Sequence, residues 1–215
     1  MFNLTPDRFS DGGTFQSVDA AISQVRSMIS EGADMIDIGA QSTRPMASRI
    51  SVQQGLDRLT PVLEAVLGLP EAEGKIVSVD TFYSEVAAEA VSKGAHIVND
   101  ASAGQLDSNM FKVIADLKVP YIAMHMRGDL STMKNSENLQ YDNACKQVAS
   151  ELYLKVGEAE ILGIPAWRMI IDPGLGFSKN REHNLEILMG LPNIQAEIGR
   201  KSLALSRAPI LIGPS

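Results

Sequence analysis

The chain is poor in the residues that most often announce a function. It has one cysteine in 215 residues, Cys145, which excludes an internal disulfide, fits a reducing compartment and reads as a small helix residue. Its three histidines, His96, His125 and His183, are scattered, and no HExxH or close Cys/His spacing occurs, which argues against a structural or catalytic zinc site. There is no block of Lys or Arg and the net charge is −7, so nucleic acid and anionic membrane are poor partners and any phosphate recognition must be local. No apolar run is long enough to span a bilayer, and no signal or transit segment is expected among residues 1–215. Low-complexity tracts and interdomain linkers are missing too. With 45% hydrophobic residues, positions 1–215 read as one domain with a single core.

What is present is one short unit, repeated. MIDIG (Met35 to Gly39), IVSVD (Ile76 to Asp80), HIVND (His96 to Asp100), YIAMH (Tyr121 to His125), MIID (Met169 to Asp172) and ILIGPS (Ile210 to Ser215) are apolar runs that end in polar residues or turn signals. Helix-like segments separate them, which is the βαβα pattern of a parallel sheet. Polar residues at the carboxyl ends of the strands predict an α/β fold of the TIM (β/α)8 barrel type, with its site at that face. The count is seven strands including a clipped first one, so the barrel is expected to be incomplete, with the eighth strand and last helices missing. At 215 residues it also falls below the roughly 250 usual for the fold.

The helices follow from caps and periodicity. Ser17 is expected to cap the first, with Val18, Ile22, Val25 and Ile29 inward and Gly32 as its stop. Leu56, Leu59, Leu63 and Val66 mark the second, which tolerates Gly55 and Pro61 at some cost. Ser84 is expected to cap the third, Asp107 to open the fourth, and Val148, Leu152 and Val156 to mark the fifth. Leu185, Leu188 and Ile194 are assigned to a sixth, interrupted near Pro192. Residues 128 to 141 are polar and unpatterned, a loop long enough to cover a site.

Asp80, Asn99 and Asp172 stand at the ends of three strands, where a barrel would let them converge. Two carboxylates and an amide can read the N–H edge of a flat heterocycle such as a pterin or guanine, although any one of them could equally cap a strand or helix. Met124 and Met126 could line a flat-ligand pocket or belong to the core, and His125 reads as a hydrogen-bonded strand-end residue. Ser42, Thr43 and Arg44, with Asn3, suit a diphosphate accompanied by a hard cation. Glycoside hydrolysis by paired carboxylates is a weaker competitor, because nothing fixes their separation.

With these stretches aligned, the chain resembles the dihydropteroate synthase family, most closely the plant form. NLTPDRFSDGG, IGAQSTRP, VSVDT, IVNDAS, MHMRG, DPGLGFSK and LIGPS stand in family order from end to end. The resemblance implies a transferase of folate biosynthesis that joins 6-hydroxymethyl-7,8-dihydropterin diphosphate to p-aminobenzoate. It implies that Asp80, Asn99 and Asp172 hold the pterin with Met124, Phe177 and Gly213 around it. Asn3 would coordinate Mg2+, Arg44 would contact the diphosphate, and Thr43, Pro45 and Ser215 would border p-aminobenzoate, helped by Phe9. Asp11 would stabilise positive charge at the pterin methylene as diphosphate leaves.

The same resemblance implies a homodimer, an upstream pterin pyrophosphokinase domain in the full protein, and a mitochondrial or cytoplasmic location. Ala40 and Gln41 replace the family's Gly-Glu before STRP, and Arg8 replaces a small residue; both are expected to be variation rather than loss. The family continues past the position of Ser215 with a lysine for the pterin, and later an Arg and a His for the diphosphate, so impaired activity is expected of the 215-residue chain. Alternative readings are a non-catalytic pterin-binding fragment and a methyltetrahydrofolate-dependent methyltransferase domain, which would not need the SDGG and STRP loops.

Overall fold

The computed structural model describes residues 2–4, 14–201 and 209–212, with side chains from Leu4, 18–201 and 209–212. Six strands form one parallel sheet in sequential order: β1 (Phe2–Asn3), β2 (Met35–Gly39), β3 (Ile76–Asp80), β4 (Ile97–Asp100), β5 (Tyr121–Met124) and β6 (Met169–Asp172). Seven helices join and follow them: α1 (Thr14–Ser30), α2 (Val52–Leu67), α3 (Ser84–Ser92), α4 (Met110–Leu117), α5 (Ala144–Ile161), α6 (Arg181–Met189) and α7 (Leu191–Lys201). A parallel bridge, Ile171 to Ile210, extends the order beyond β6, with Ile171 N–H donating to Pro209 and Leu211 N–H to Ile171. This is the winding of a (β/α) barrel. No eighth strand stands among the described residues, and the expected seventh reduces to that bridge, Gly213 to Ser215 lying outside them.

Alternation along the strands separates packing from chemistry. Ile36, Ile38, Val77 and Val79 turn outward into a core with Leu59, Leu63 and Val66 of α2 and Ala21 and Val25 of α1. Tyr121, Ala123, Met169 and Ile171 do the same with Val148, Leu152 and Val156 of α5 and Ile194 and Ile198 of α7. Each Val, Leu, Ile or Met side chain among them contributes about 1.5 to 3 kcal/mol on leaving water, so the outer face carries the stability and frees the alternate positions, Asp37, Asp80, Asn99 and Asp172, for other work. A third, smaller cluster of Phe82, Met124, Met126, Leu130, Met133 and Phe177 sits at the carboxyl ends. Through Leu130 and Met133 it anchors the 128–141 loop, which carries a 3-10 turn (Ser136–Leu139). Among the described residues no helix is long and apolar enough to cross a membrane.

Three local expectations are corrected. Helix α1 begins at Thr14, so Ser17 lies inside it rather than at its cap. Ser84 makes no side-chain cap; its backbone N–H instead donates to Asp107 Oδ2 at 2.7 Å, while Asp107 Oδ1 receives Asn109 N–H at 2.9 Å, so one carboxylate serves the starts of both α3 and α4. The expected sixth helix is two, α6 and α7, and Leu185 and Leu188 are exposed while Ile187, Ile194 and Ile198 are buried.

Candidate functional site

Register brings the polar strand ends together. Gly39 of β2 pairs with Asp80 of β3, Asp80 with Asn99 of β4, and Met124 of β5 with Asp172 of β6. Side chains paired this way in a parallel sheet share a face, and these open on one cavity of about 190 Å3. Its lining includes Asp37, Thr43, Asp80, Asn99, Met124, Asp172 and Phe177. Arg44 and Pro45 sit on the exposed loop beyond it and do not line it. Asn3 is placed by its backbone at the end of β1 beside Gly39, its side chain not being described; Phe9, Asp11, Gly213 and Ser215 lie outside the described residues.

The glycine at position 39 makes room for the carboxylate. A Cβ there would stand 3.2 Å from both Asp80 Cβ and Asp80 Oδ2. Asp80 and Asp172 are each 5% exposed and Asp37 7%, so three carboxyl groups meet with little water. Burial, then the neighbouring charges of Asp37, Asp100 and Asp172, pushes Asp80 well above the usual carboxylate range. Burial likewise raises Asp37, and raises Asp172 to about 6 against the opposing pull of the Gly174 N–H and of Lys179.

Asp80 Oδ2 and Asp37 Oδ1 are buried without hydrogen-bond partners among the described residues. Orphaned acceptors at a cavity wall are costly unless a ligand supplies N–H groups. Asn99 Nδ2 donates to Asp37 Oδ2 at 3.0 Å, which orients the amide and leaves its carbonyl and one N–H for that ligand. Met124 and Phe177 supply apolar surface in the same cavity. Asp100, next to Asn99, faces the other way and is fully bonded, receiving Tyr121 O–H at 2.6 Å, Ser102 N–H at 2.7 Å and Gly104 N–H at 2.8 Å.

Two groups escaped sequence reasoning, Asp37 in the cavity wall and Glu151 behind it. Asp37 was readable as a lone acid in the apolar run MIDIG. Glu151 carried no signal, being one of several acids on α5. It receives His125 Nε2–H at 2.9 Å and Arg127 Nε–H at 3.0 and 3.1 Å, and the Arg127 guanidinium lies 3.9 Å over the Tyr141 ring. Gln41 ties its own loop: its Nε2 donates to Ser42 and Ser48 carbonyls at 2.8 and 3.2 Å, and its Oε1 receives Ile50 N–H at 2.9 Å.

A small cavity of buried acids and one oriented amide at barrel strand ends has the donors and acceptors to read adjacent N–H groups on a flat ring, and the sequence profile of the pterin binding enzymes matches residues 1–215. The chain belongs to the pterin binding enzyme family. Among its relatives in the family, it is 71% identical over all of its length to the mitochondrial folate synthesis bifunctional protein of Pisum sativum, covering 42% of that protein. It is 38% identical over all of its length to the dihydropteroate synthase of Synechocystis sp., covering 70% of it. The solved dihydropteroate synthase of Xanthomonas albilineans in complex with 7,8-dihydropteroate superposes with a TM-score of 0.79 at 35% identity, over 99% of this chain and 70% of the other.

The acids do not form a cation cage. Among the described residues no group of three or more His, Cys, Asp or Glu side chains could hold a metal ion. Mg2+ carried by a diphosphate needs only one or two protein oxygens, so the single donor expected at Asn3 fits that ion in number and chemistry.

Proposed function

We propose that the chain is the substrate-holding barrel of a dihydropteroate synthase, joining 6-hydroxymethyl-7,8-dihydropterin diphosphate to p-aminobenzoate. The observation that carries the reading is the convergence of Asp80, Asn99 and Asp172 on one cavity with Met124 and Phe177. Asp80 and Asp172 accept N–H groups of the pterin, Asn99 both donates and accepts, and Met124 and Phe177 pack on the ring faces. The family resemblance adds Gly213 to that site. Thr43, at the cavity rim, borders p-aminobenzoate together with Pro45, Ser215 and Phe9.

Asn3 and Arg44 hold the diphosphate end, where Mg2+ would neutralise leaving-group charge. The bond from the pterin methylene to the diphosphate oxygen breaks, Asp11 stabilises the positive charge left on the carbon, the arylamine nitrogen bonds to it, and one amine proton is released. Fusion to a pyrophosphokinase, which the family resemblance implies and a bifunctional relative is consistent with, would deliver the diphosphate substrate. The same relative favours a mitochondrial location over a cytoplasmic one, and the family a homodimer.

The test is formation of dihydropteroate from labelled p-aminobenzoate by the chain carrying the further length that its relatives have, with the 215-residue chain beside it. The reading expects Asp80→Asn to lower turnover at sub-saturating dihydropterin diphosphate by tenfold or more, in line with about 1.5 to 3 kcal/mol for a hydrogen bond to a charged group. Undiminished turnover in that variant would overturn it.

A further inference from the structure

Lys179 is 1% exposed, although it follows a glycine-rich loop at the surface end of the barrel. Its Nζ donates to Phe177 O at 2.8 Å and meets His125 Nδ1 at 2.9 Å. An ammonium has no acceptor, so Nδ1 accepts and the His125 proton resides on Nε2, which faces Glu151 Oε2 at 2.9 Å. The result is one directed chain, Lys179 to His125 to Glu151. It begins behind Asp172 and ends at a carboxylate that is 37% exposed.

The far end opens on a second cavity of about 390 Å3, lined by His125, Arg127, Glu151 and Lys155, and Met124 lines both cavities. The loops carrying this chain are locked together. Ser178 Oγ donates to Arg127 O at 2.7 Å and receives Arg127 N–H at 2.8 Å, and Asp172 O receives His125 N–H at 2.9 Å.

We propose, resting on the pterin reading of the first cavity, that Lys179 is a positioning residue which holds Phe177 against the ring and keeps Asp172 ionised, and that His125 and Glu151 couple it to the second cavity. The groups facing Lys179 are Asp172, His125, Glu151, Arg127 and Lys134, and those facing Asp172 include Asp37 and Asp80 as well. Burial lowers Lys179 to about 7 and His125 to about 4, so the imidazole is neutral when the ammonium forms. Transfer of a proton from Nζ to Nδ1, with release of the Nε2 proton through Glu151 to water, leaves neutral amine and neutral imidazole. The positive charge behind Asp172 is then gone, and its carboxyl group protonates more readily.

The test is calorimetric affinity for pterin itself from about pH 5 to about pH 8, in the wild-type chain, Lys179→Met and Glu151→Gln. Lys179→Met is expected to move the acid limit of binding upward by about one pH unit, which is about tenfold weaker binding near pH 5. Glu151→Gln keeps an amide oxygen for His125 Nε2–H and Arg127 Nε–H and moves the limit the same way by less. A merely structural role would lower the melting temperature and leave the limit in place. Wild-type binding with an unmoved limit in both variants overturns this assignment alone; a folded wild-type chain that binds no pterin at any pH overturns the pterin reading and the assignment with it.

Discussion

Asp172 gains its proton at about 6 rather than near 3.8, because burial raises it and the Gly174 N–H and Lys179 only partly compensate. Between those values the folded chain binds more protons than the unfolded one, so this group makes the ligand-free protein less stable as pH rises from about 4 to about 6. Two units correspond to about 3 kcal/mol at most. Asp172→Asn keeps the oxygen that receives Gly174 N–H at 2.7 Å and removes the charge. It is therefore expected to melt above the wild type near pH 7.5 and level with it near pH 4, while binding pterin tenfold or more weakly. Equal melting shifts at both pH values would contradict the linkage.

A second residue-scale expectation concerns Gly174. Its φ is +68°, and a Cβ there would lie 2.1 Å from the His125 carbonyl oxygen, a backbone atom with nowhere to move. Gly174→Ala should cost at least about 2 kcal/mol in urea unfolding, from strain and displacement together. An unchanged midpoint would mean that the Asp172 and His125 loops are not packed as described.

Among the elements, α6 determines where Lys179 sits, because its cap follows immediately. Asn180 Oδ1 receives His183 N–H at 2.8 Å, and the His183 ring receives Asn180 N–H in return. Asn180→Ala should lower stability by about 1 kcal/mol, and urea denaturation read by circular dichroism would check it. Helix α2 shows how a helix absorbs an interior Pro61: a reciprocal Ser51–Gln54 cap and burial of Leu59, Val62, Leu63 and Val66 offset the lost backbone bond.

Elements are also where the sequence was legible or not. The strands were readable because a strand buried on both faces is a continuous apolar run, and five of the six match their expected spans to within one residue. Caps were not, because the oxygen that receives Ser84 N–H belongs to Asp107, 23 residues away. Leu185 and Leu188 misled because a nine-residue helix turns only one side chain, Ile187, fully inward. In the site, Asp80, Asn99 and Asp172 could be found at strand ends, whereas the Lys179–His125–Glu151 chain joins two loops and a helix that only the fold brings near.

At the scale of the whole molecule, the outer faces of the strands hold the barrel and the inner faces gather charge that the fold alone does not need. Buried acids at Asp37, Asp80 and Asp172 destabilise the empty protein and make sense as a ligand site. The direct measurement is therefore calorimetric titration of this chain with pterin at neutral pH, beside Asp80→Asn and Asp172→Asn, with circular dichroism confirming that each is folded. Saturable binding by the wild type, weakened tenfold or more in both variants, is the predicted result. Equal binding by all three, or none by a folded wild-type chain, would contradict the account.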